Sequence, residues 1–283
     1  MRTTGRTRFL PRRSDLSGGR LAIPHQPGPA NAGPVRSPSL AARFTPRAAC
    51  HPLRVEEPLE HVVVVFSGDL ASTVLAYQLR AHGSDLTLLT VEADQRSRRA
   101  GECATRTADA LGAPHQVVDL SALADLWSNS PVGQPLAGRP DGEDASSPVR
   151  ALVVPPQSVI TLDIAVAVAS MLQAGAVAFA AHADDDRSWP GCGPGFLDAY
   201  TRMVAVAGQG VLAPGFAVLA PLLGRSLAEI VTAGAALGVP FADTWSCDQA
   251  TDTHCGTCGA CTPRRAAFHH AGVPDPTRYS AVG

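Results

Sequence analysis

His61-Val62-Val63-Val64-Val65-Phe66, running straight into Ser67-Gly68-Asp69-Leu70-Ala71-Ser72-Thr73, decides how this chain is read. A β-branched run with no polar alternation suits a strand covered on both faces, as in a parallel sheet. The serine-glycine turn that stops it opens a stretch from Leu70 to His82 with helical periodicity. Strand, tight turn and helix therefore follow one another. Such a turn aims backbone N–H groups and the positive end of a helix at one point, where phosphate binds well.

Outward from this unit the pattern repeats. Leu86 to Val91 predicts a second strand, Gln95 to Leu111 a helix and His115 to Asp119 a third strand. Gln157 to Gln173 predicts a helix, Ala176 to Ala181 a fourth strand, Gly195 to Ala207 a helix and Ala217 to Pro221 a short fifth strand. Arg225 to Leu237 closes the series as a helix stopped by Gly238 and Pro240. This βαβ spacing implies a doubly wound, mostly parallel α/β sheet. Ligands in such sheets bind beyond the carboxyl ends of the strands. Residues 126 to 150, rich in Pro, Gly, Ser and Asp, read as a mobile loop near the mouth of a site.

The chain has 283 residues, 45% hydrophobic and 17% charged, which fits a globular core and excludes a fibrous or wholly disordered chain. Ile164 to His182 carries no acid, lysine or arginine, but Ser170, Gln173 and Gly175 break it, so it reads as a buried helix running into a buried strand. A membrane span is not expected. Residues 1 to 54 hold ten arginines against Asp15, whereas the rest holds thirteen arginines against twenty-four acids. Up to about residue 57 the chain reads as a disordered Arg/Pro-rich tail, with a nucleic-acid-binding basic arm as the alternative. All 23 basic residues are arginine, which excludes any mechanism built on a lysine.

Four of seven cysteines, Cys247, Cys255, Cys258 and Cys261, fall within fifteen residues as C-x7-C-x2-C-x2-C. Two adjacent CxxC steps wrap three thiolates around one point, and Cys247 arrives from the preceding loop. Four sulfurs with no open position suit a structural tetrahedral zinc site; an iron–sulfur cluster and partly oxidised thiols are the alternatives. His254 adjoins Cys255, an awkward place from which to share the metal. The odd cysteine total and the absence of an apolar leader point to a cytoplasmic protein. Trp245 and Phe268 read as packing for the knuckle, and Arg264 as a surface arginine that could reach an anion.

Taken together, these motifs resemble the 7-cyano-7-deazaguanine synthase family of queuosine biosynthesis, among the PP-loop ATP pyrophosphatases, over His61 to Phe268. Ser67 to Thr73 resembles the SGGxDS loop and Gln95-Arg96 the end of YGQR. Val154 to Ser158 falls where the family has VPxRN, and Asp185 with Trp189 to Cys192 where it has D-[YF]-SG-YPDC. Ala228-Glu229-Ile230-Val231 resembles KAEIV, and the four cysteines follow in order. The resemblance implies a Rossmann-like PP-loop domain over 58–240 and a zinc-knuckle segment over 241–283. It implies ATP and Mg²⁺ as cofactors, a 7-deazaguanine carboxylate and ammonia as substrates, and a homodimer. No membrane or direct nucleic-acid partner is implied. By the same resemblance Ser67, Gly68, Asp69, Ser72, Thr73, Gln95 and Arg96 bind nucleotide, and Asp185 and Glu229 are catalytic.

The chain departs from this pattern where charge is handled. Asp69 replaces the second loop glycine; two like charges about 4 Å apart at an effective dielectric near 20 repel by roughly 4 kcal/mol, a thousandfold in affinity on that order. Ala71 replaces the loop carboxylate expected to serve the metal. Gln157 and Ser158 stand for arginine and asparagine, Gly191 for aspartate and Leu227 for lysine. Two readings follow: a synthase-like enzyme impaired by these changes, and a non-catalytic paralogue that serves as a zinc-containing binding or scaffold partner. A PP-loop sulfur transferase acting on tRNA is disfavoured, because the knuckle leaves only Cys103 and Cys192 in the domain.

Overall fold

The computed structural model describes residues 59–92, 98–122, 157–186, 192–249 and 252–280. The arginine-rich tail, the 126–150 loop, Gln95, Arg96, Val154 to Pro156 and Trp189 to Gly191 lie outside them. In chain order the elements are β1 (His61–Val65), α1 (Leu70–Ala81), β2 (Asp85–Glu92), α2 (Arg98–Leu111), β3 (His115–Asp119), α3 (Gln157–Leu172) and β4 (Ala176–Ala178). There follow α4 (Ala183–Asp186), α5 (Pro194–Ala207), β5 (Ala217–Leu219), α6 (Leu227–Ala236), a 3₁₀ turn (Phe241–Asp243) and α7 (Cys261–Ala271).

The strands form one parallel sheet in the order β3-β2-β1-β4-β5. Val62 pairs with Leu86 on one side and with Ala176 on the other, so β1 is central. Successive side chains of a strand point to opposite faces. Val62 and Val64 accordingly enter a cluster with Leu70, Val74, Ile230 and Phe268, while Val63 joins Leu162, Ala165, Leu197 and Tyr200. Helices α1, α6 and α7 cover the first face, and α3 and α5 the second. The expected doubly wound α/β sheet is present.

The fourth and fifth strands are shorter than the sequence suggests. Pro221 has no N–H to give a ladder, β5 stops at Leu219, and beyond Phe179, which bonds Leu219 O at 3.0 Å, β4 has no partner to follow. Helix α6 begins at Leu227 rather than Arg225 because Ser226 caps it. Among the described residues no helix is long and apolar enough to cross a membrane.

Candidate functional site

Strand order reverses between β1 and β4, and their carboxyl ends deliver two loops to one crevice. From β1 comes Ser67 to Thr73. The Thr90 hydroxyl donates to Phe66 O at 2.7 Å and meets His115 Nε2 at 2.8 Å, fixing the end of the strand. Gly68 has φ +74°, and a Cβ there would lie 2.5 Å from Ala100 O, so the loop is pressed against α2 at a point that only glycine allows. Ser67 Oγ and Ser72 Oγ are 3.1 Å apart. Thr73 is wholly buried, and its Oγ1 has no hydrogen-bond partner.

Asp69 takes the N-cap of α1, its Oδ1 accepting the Ser72 N–H at 2.8 Å. A carboxylate from the chain itself thus occupies the Ser72 main-chain donor at the start of α1. Ala71 is 5% exposed and lies in the apolar cluster, so a core methyl stands where a metal-binding carboxylate was expected. The repulsion reckoned from sequence treats Asp69 as a free charge. In the fold it is bonded to an amide and lies in the field of Arg264, which favours that cation.

From β4 comes His182 to Asp185. Asp185 Oδ2 accepts the His182 main-chain N–H at 3.1 Å and lies 3.4 Å from His182 Nε2; His182 Nδ1 is buried without a partner. Loss of water holds the Asp185 carboxyl above its ordinary range; His182 opposes this, while Asp69 and Asp184 add to it. Asp184 Oδ2 accepts the Leu227 N–H at 2.9 Å, tying this loop to α6. Glu229 Oε2 accepts from both Ser226 N–H and Ser226 Oγ at 2.8 Å, the return arm of a capping box. Those bonds hold its carboxyl below the usual range. The spacing Ser226-x-x-Glu229 signals this box, although the resemblance draws attention to a catalytic role instead. Gln95 and Arg96 fall outside the described residues. Ser158 Oγ lies 3.8 Å from Cys192 Sγ, bringing together two segments that the resemblance assigns to one site.

The four cysteines converge as expected. The Sγ atoms of Cys247, Cys255, Cys258 and Cys261 all lie within 4.8 Å of one another. A tetrahedral site with metal–sulfur bonds of about 2.3 Å places its sulfurs about 3.8 Å apart, and Cys255 Sγ to Cys261 Sγ is 4.0 Å. Main-chain donors surround the sulfurs. Cys255 N–H points to Cys247 Sγ at 3.4 Å, Cys258 N–H to Cys255 Sγ at 3.3 Å and Cys261 N–H to Cys258 Sγ at 3.4 Å. Burial raises the Cys255 thiol, yet its donors from Thr257 and Cys258 outweigh this and draw it down to about 6. Burial drives the Cys247 and Cys261 thiols up. A cation that coordinates all four overcomes that penalty, so the donor set fits a metal. His254 is not part of the group: its Nε2 accepts the Ser246 N–H at 3.2 Å, and its ring lies 4.2 Å from that of Trp245.

Arg264 is not the surface arginine expected. It is 1% exposed and donates to Phe241 O at 2.9 Å, Thr277 Oγ1 at 2.9 Å and Ser246 Oγ at 3.1 Å. Among the described residues it makes no ion pair within 4.0 Å. The sequence signal missed here is its place one turn after Cys261 on α7, whose inward face Ala267 and Phe268 then continue.

The sequence profile of the family described as queuosine biosynthesis protein QueC matches residues 61–272. A 7-cyano-7-deazaguanine synthase of Rhizobium leguminosarum bv. trifolii is 41% identical over 220 residues, covering 77% of this chain and 91% of that one. Its counterpart in Rhizobium meliloti is 41% identical over 217 residues, with 77% and 91% covered. Among solved structures, the U34-tRNA thiolase NcsA from Methanococcus maripaludis, with its 4Fe–4S cluster, superimposes with a TM-score of 0.41. Its identity is 14%, over 76% of this chain and 65% of that one. With the parallel sheet, the loop after β1 and the four-thiol centre in family order, the chain belongs to the queuosine biosynthesis protein QueC family.

Proposed function

We propose that this chain binds ATP at Ser67 to Thr73 and uses it to convert a 7-deazaguanine carboxylate to a nitrile, much more slowly than its relatives do. ATP would adenylate the carboxylate with release of pyrophosphate, and ammonia would displace AMP to leave an amide. A second ATP would activate the amide oxygen, which departs with AMP as the nitrogen gives up its protons to leave the nitrile, and Mg²⁺ would screen the phosphates. Ser67, Gly68, Ser72 and Thr73 hold phosphate oxygens through main-chain N–H groups and hydroxyls, and Gln95 and Arg96 complete the nucleotide site from beyond β2. Asp185 takes a proton at its carboxylate from the attacking nitrogen. Glu229 acts through the N-terminus of α6. Cys247, Cys255, Cys258 and Cys261 hold one structural Zn²⁺. The protein is assigned to the cytoplasm as a homodimer.

The observation that carries the impairment is the 2.8 Å bond from Ser72 N–H to Asp69 Oδ1. Nucleotide has to displace this carboxylate, and no carboxylate at Ala71 offers Mg²⁺ a ligand. The test is isothermal titration with Mg²⁺-ATP, then release of AMP and pyrophosphate with 7-carboxy-7-deazaguanine and ammonium. Weak binding and slow release are expected. Asp69→Gly with Ala71→Asp is expected to tighten ATP at least about tenfold, 1.4 kcal/mol. Micromolar binding with full turnover in the unaltered chain removes the impairment and leaves the synthase.

The buried methyl of Ala71 favours a second reading, a non-catalytic paralogue that keeps the fold as a zinc-containing binding partner. Failure of both the unaltered chain and the double variant to bind ATP selects it.

A further inference from the structure

Gly68 is held from two sides. Against α2 its Cα has no room for a substituent. On the other side Gly68 O accepts the main-chain N–H of Trp245 at 2.9 Å, a bond that spans most of the described sequence. Trp245 also belongs to the wall of the thiol centre. Its Nε1–H donates to the carbonyl of Cys247 at 3.0 Å, and its ring lies 4.2 Å from that of His254, the residue before Cys255. His254 is buried; its Nε2 accepts from Ser246, its carbonyl accepts Ser280 N–H at 2.8 Å, and its ring meets Tyr279 edge-on at 5.9 Å. Arg264 Nη1 donates to Ser246 Oγ. Two ion pairs, Arg106 to Asp243 at 3.1 Å and Arg99 to Asp252 at 2.8 Å, tie α2 to the same segment.

We propose that Trp245 is a positioning residue that couples the four-thiol centre to the phosphate loop, so that the centre, when filled, sets the order of Ser67 to Thr73. The physical route is short. Cys247 and Cys255, fixed on one cation, fix the carbonyl of Cys247 and the backbone of His254. Those hold the indole, and the indole holds the main-chain N–H that grips Gly68 O. An emptied centre frees Cys247, the indole loses both supports, and the loop loses one of its two walls. Local opening of this kind shows in amide exchange without global unfolding. Order in this loop is separate from whether the chain turns over substrate.

The test is hydrogen–deuterium exchange of the full chain in three forms: metal-loaded, stripped with a thiol-competing chelator, and loaded Trp245→Ala whose metal content is verified. The amides of Ser72, Thr73 and Trp245 are expected to exchange at least about tenfold faster in both altered forms. Amides of α3, on the opposite face of the sheet, are expected to stay unchanged. Trp245→Phe keeps a ring against His254 and the main-chain donor, and is expected to restore protection. A merely structural loss loosens both faces alike and is not repaired by phenylalanine. Unchanged Ser72 and Thr73 in loaded Trp245→Ala overturns the proposal. So does a stripped chain in which residues 255–261 become labile while the loop does not. Should stripping unfold the whole chain, loaded Trp245→Ala decides the matter alone.

Discussion

A carboxyl that loses more to burial than a neighbouring cation returns becomes a weaker acid, and Asp185 stands in that position, with His182 opposing the shift and Asp69 and Asp184 adding to it. Its folded pKa lies above the unfolded value of about 3.9. The folded chain therefore binds more protons than the unfolded one between those two values, and stability falls as pH rises through that window. Below it the group is protonated in both states and exerts no such effect. Asp185→Asn keeps an acceptor for His182 N–H while removing the charge. It is expected to raise the melting temperature at pH 7.5 and to leave it unchanged near pH 3.5. A lower melting temperature at pH 7.5 shows that His182 compensates the charge more than burial opposes it. Asp69 differs in its partners: its carboxylate accepts the Ser72 N–H at 2.8 Å and lies in the field of Arg264.

At the scale of elements, cap chemistry gives two carboxylates a place at the start of α6. Glu229 spends Oε2 on Ser226, and Asp184 spends Oδ2 on Leu227 N–H, so both carboxylates fix the start of α6. Glutamine also serves in a capping box. Because the bonds from Ser226 favour the ionised carboxylate, Glu229→Gln is expected to lower melting slightly at neutral pH, with no such loss at a pH below the folded pKa, and to leave ATP affinity unchanged, whereas Ser226→Ala costs about 1 kcal/mol. A fall in turnover with Glu229→Gln far beyond that small loss of stability returns Glu229 to the chemistry. The long elements were legible from uninterrupted apolar runs and their length: the five residues of β1 suit a strand covered on both faces, and the 16 residues of α3 are too long for one. Helix α7 was not, because Cys261, Arg264, Ala267 and Phe268 are a mixed inward face whose cysteine points to metal and whose arginine points to solvent. The loop after β1 was legible as a turn. That Asp69 folds back onto Ser72 was not, since sequence fixes neither a side-chain rotamer nor the field of a distant arginine.

Over the whole molecule, the cysteine-bearing segment and the sheet share a core. Helix α7 packs along α6, Phe268 meets Phe241 edge-on at 5.1 Å, and both rings lie in the cluster that contains Val62, Val64 and Leu70. Arg264 ties α7 to Phe241 O, Ser246 and Thr277, and its guanidinium lies 5.4 Å from the Phe268 ring. A cation bound by four thiolates then stabilises more than a knuckle, because releasing Cys261 frees the first turn of a helix that covers one face of the sheet. Exposing Phe241 and Phe268 costs about 1.5–3 kcal/mol each, and a chain of this size loses roughly 2–4 °C per kcal/mol. Cys258→Ser, or removal of the metal, is therefore expected to lower the melting temperature by about 10 °C while leaving a single transition. Two transitions, the first confined to residues 252–280, show a knuckle that folds apart from the sheet. An unchanged transition shows that the thiols hold no cation that matters to the fold.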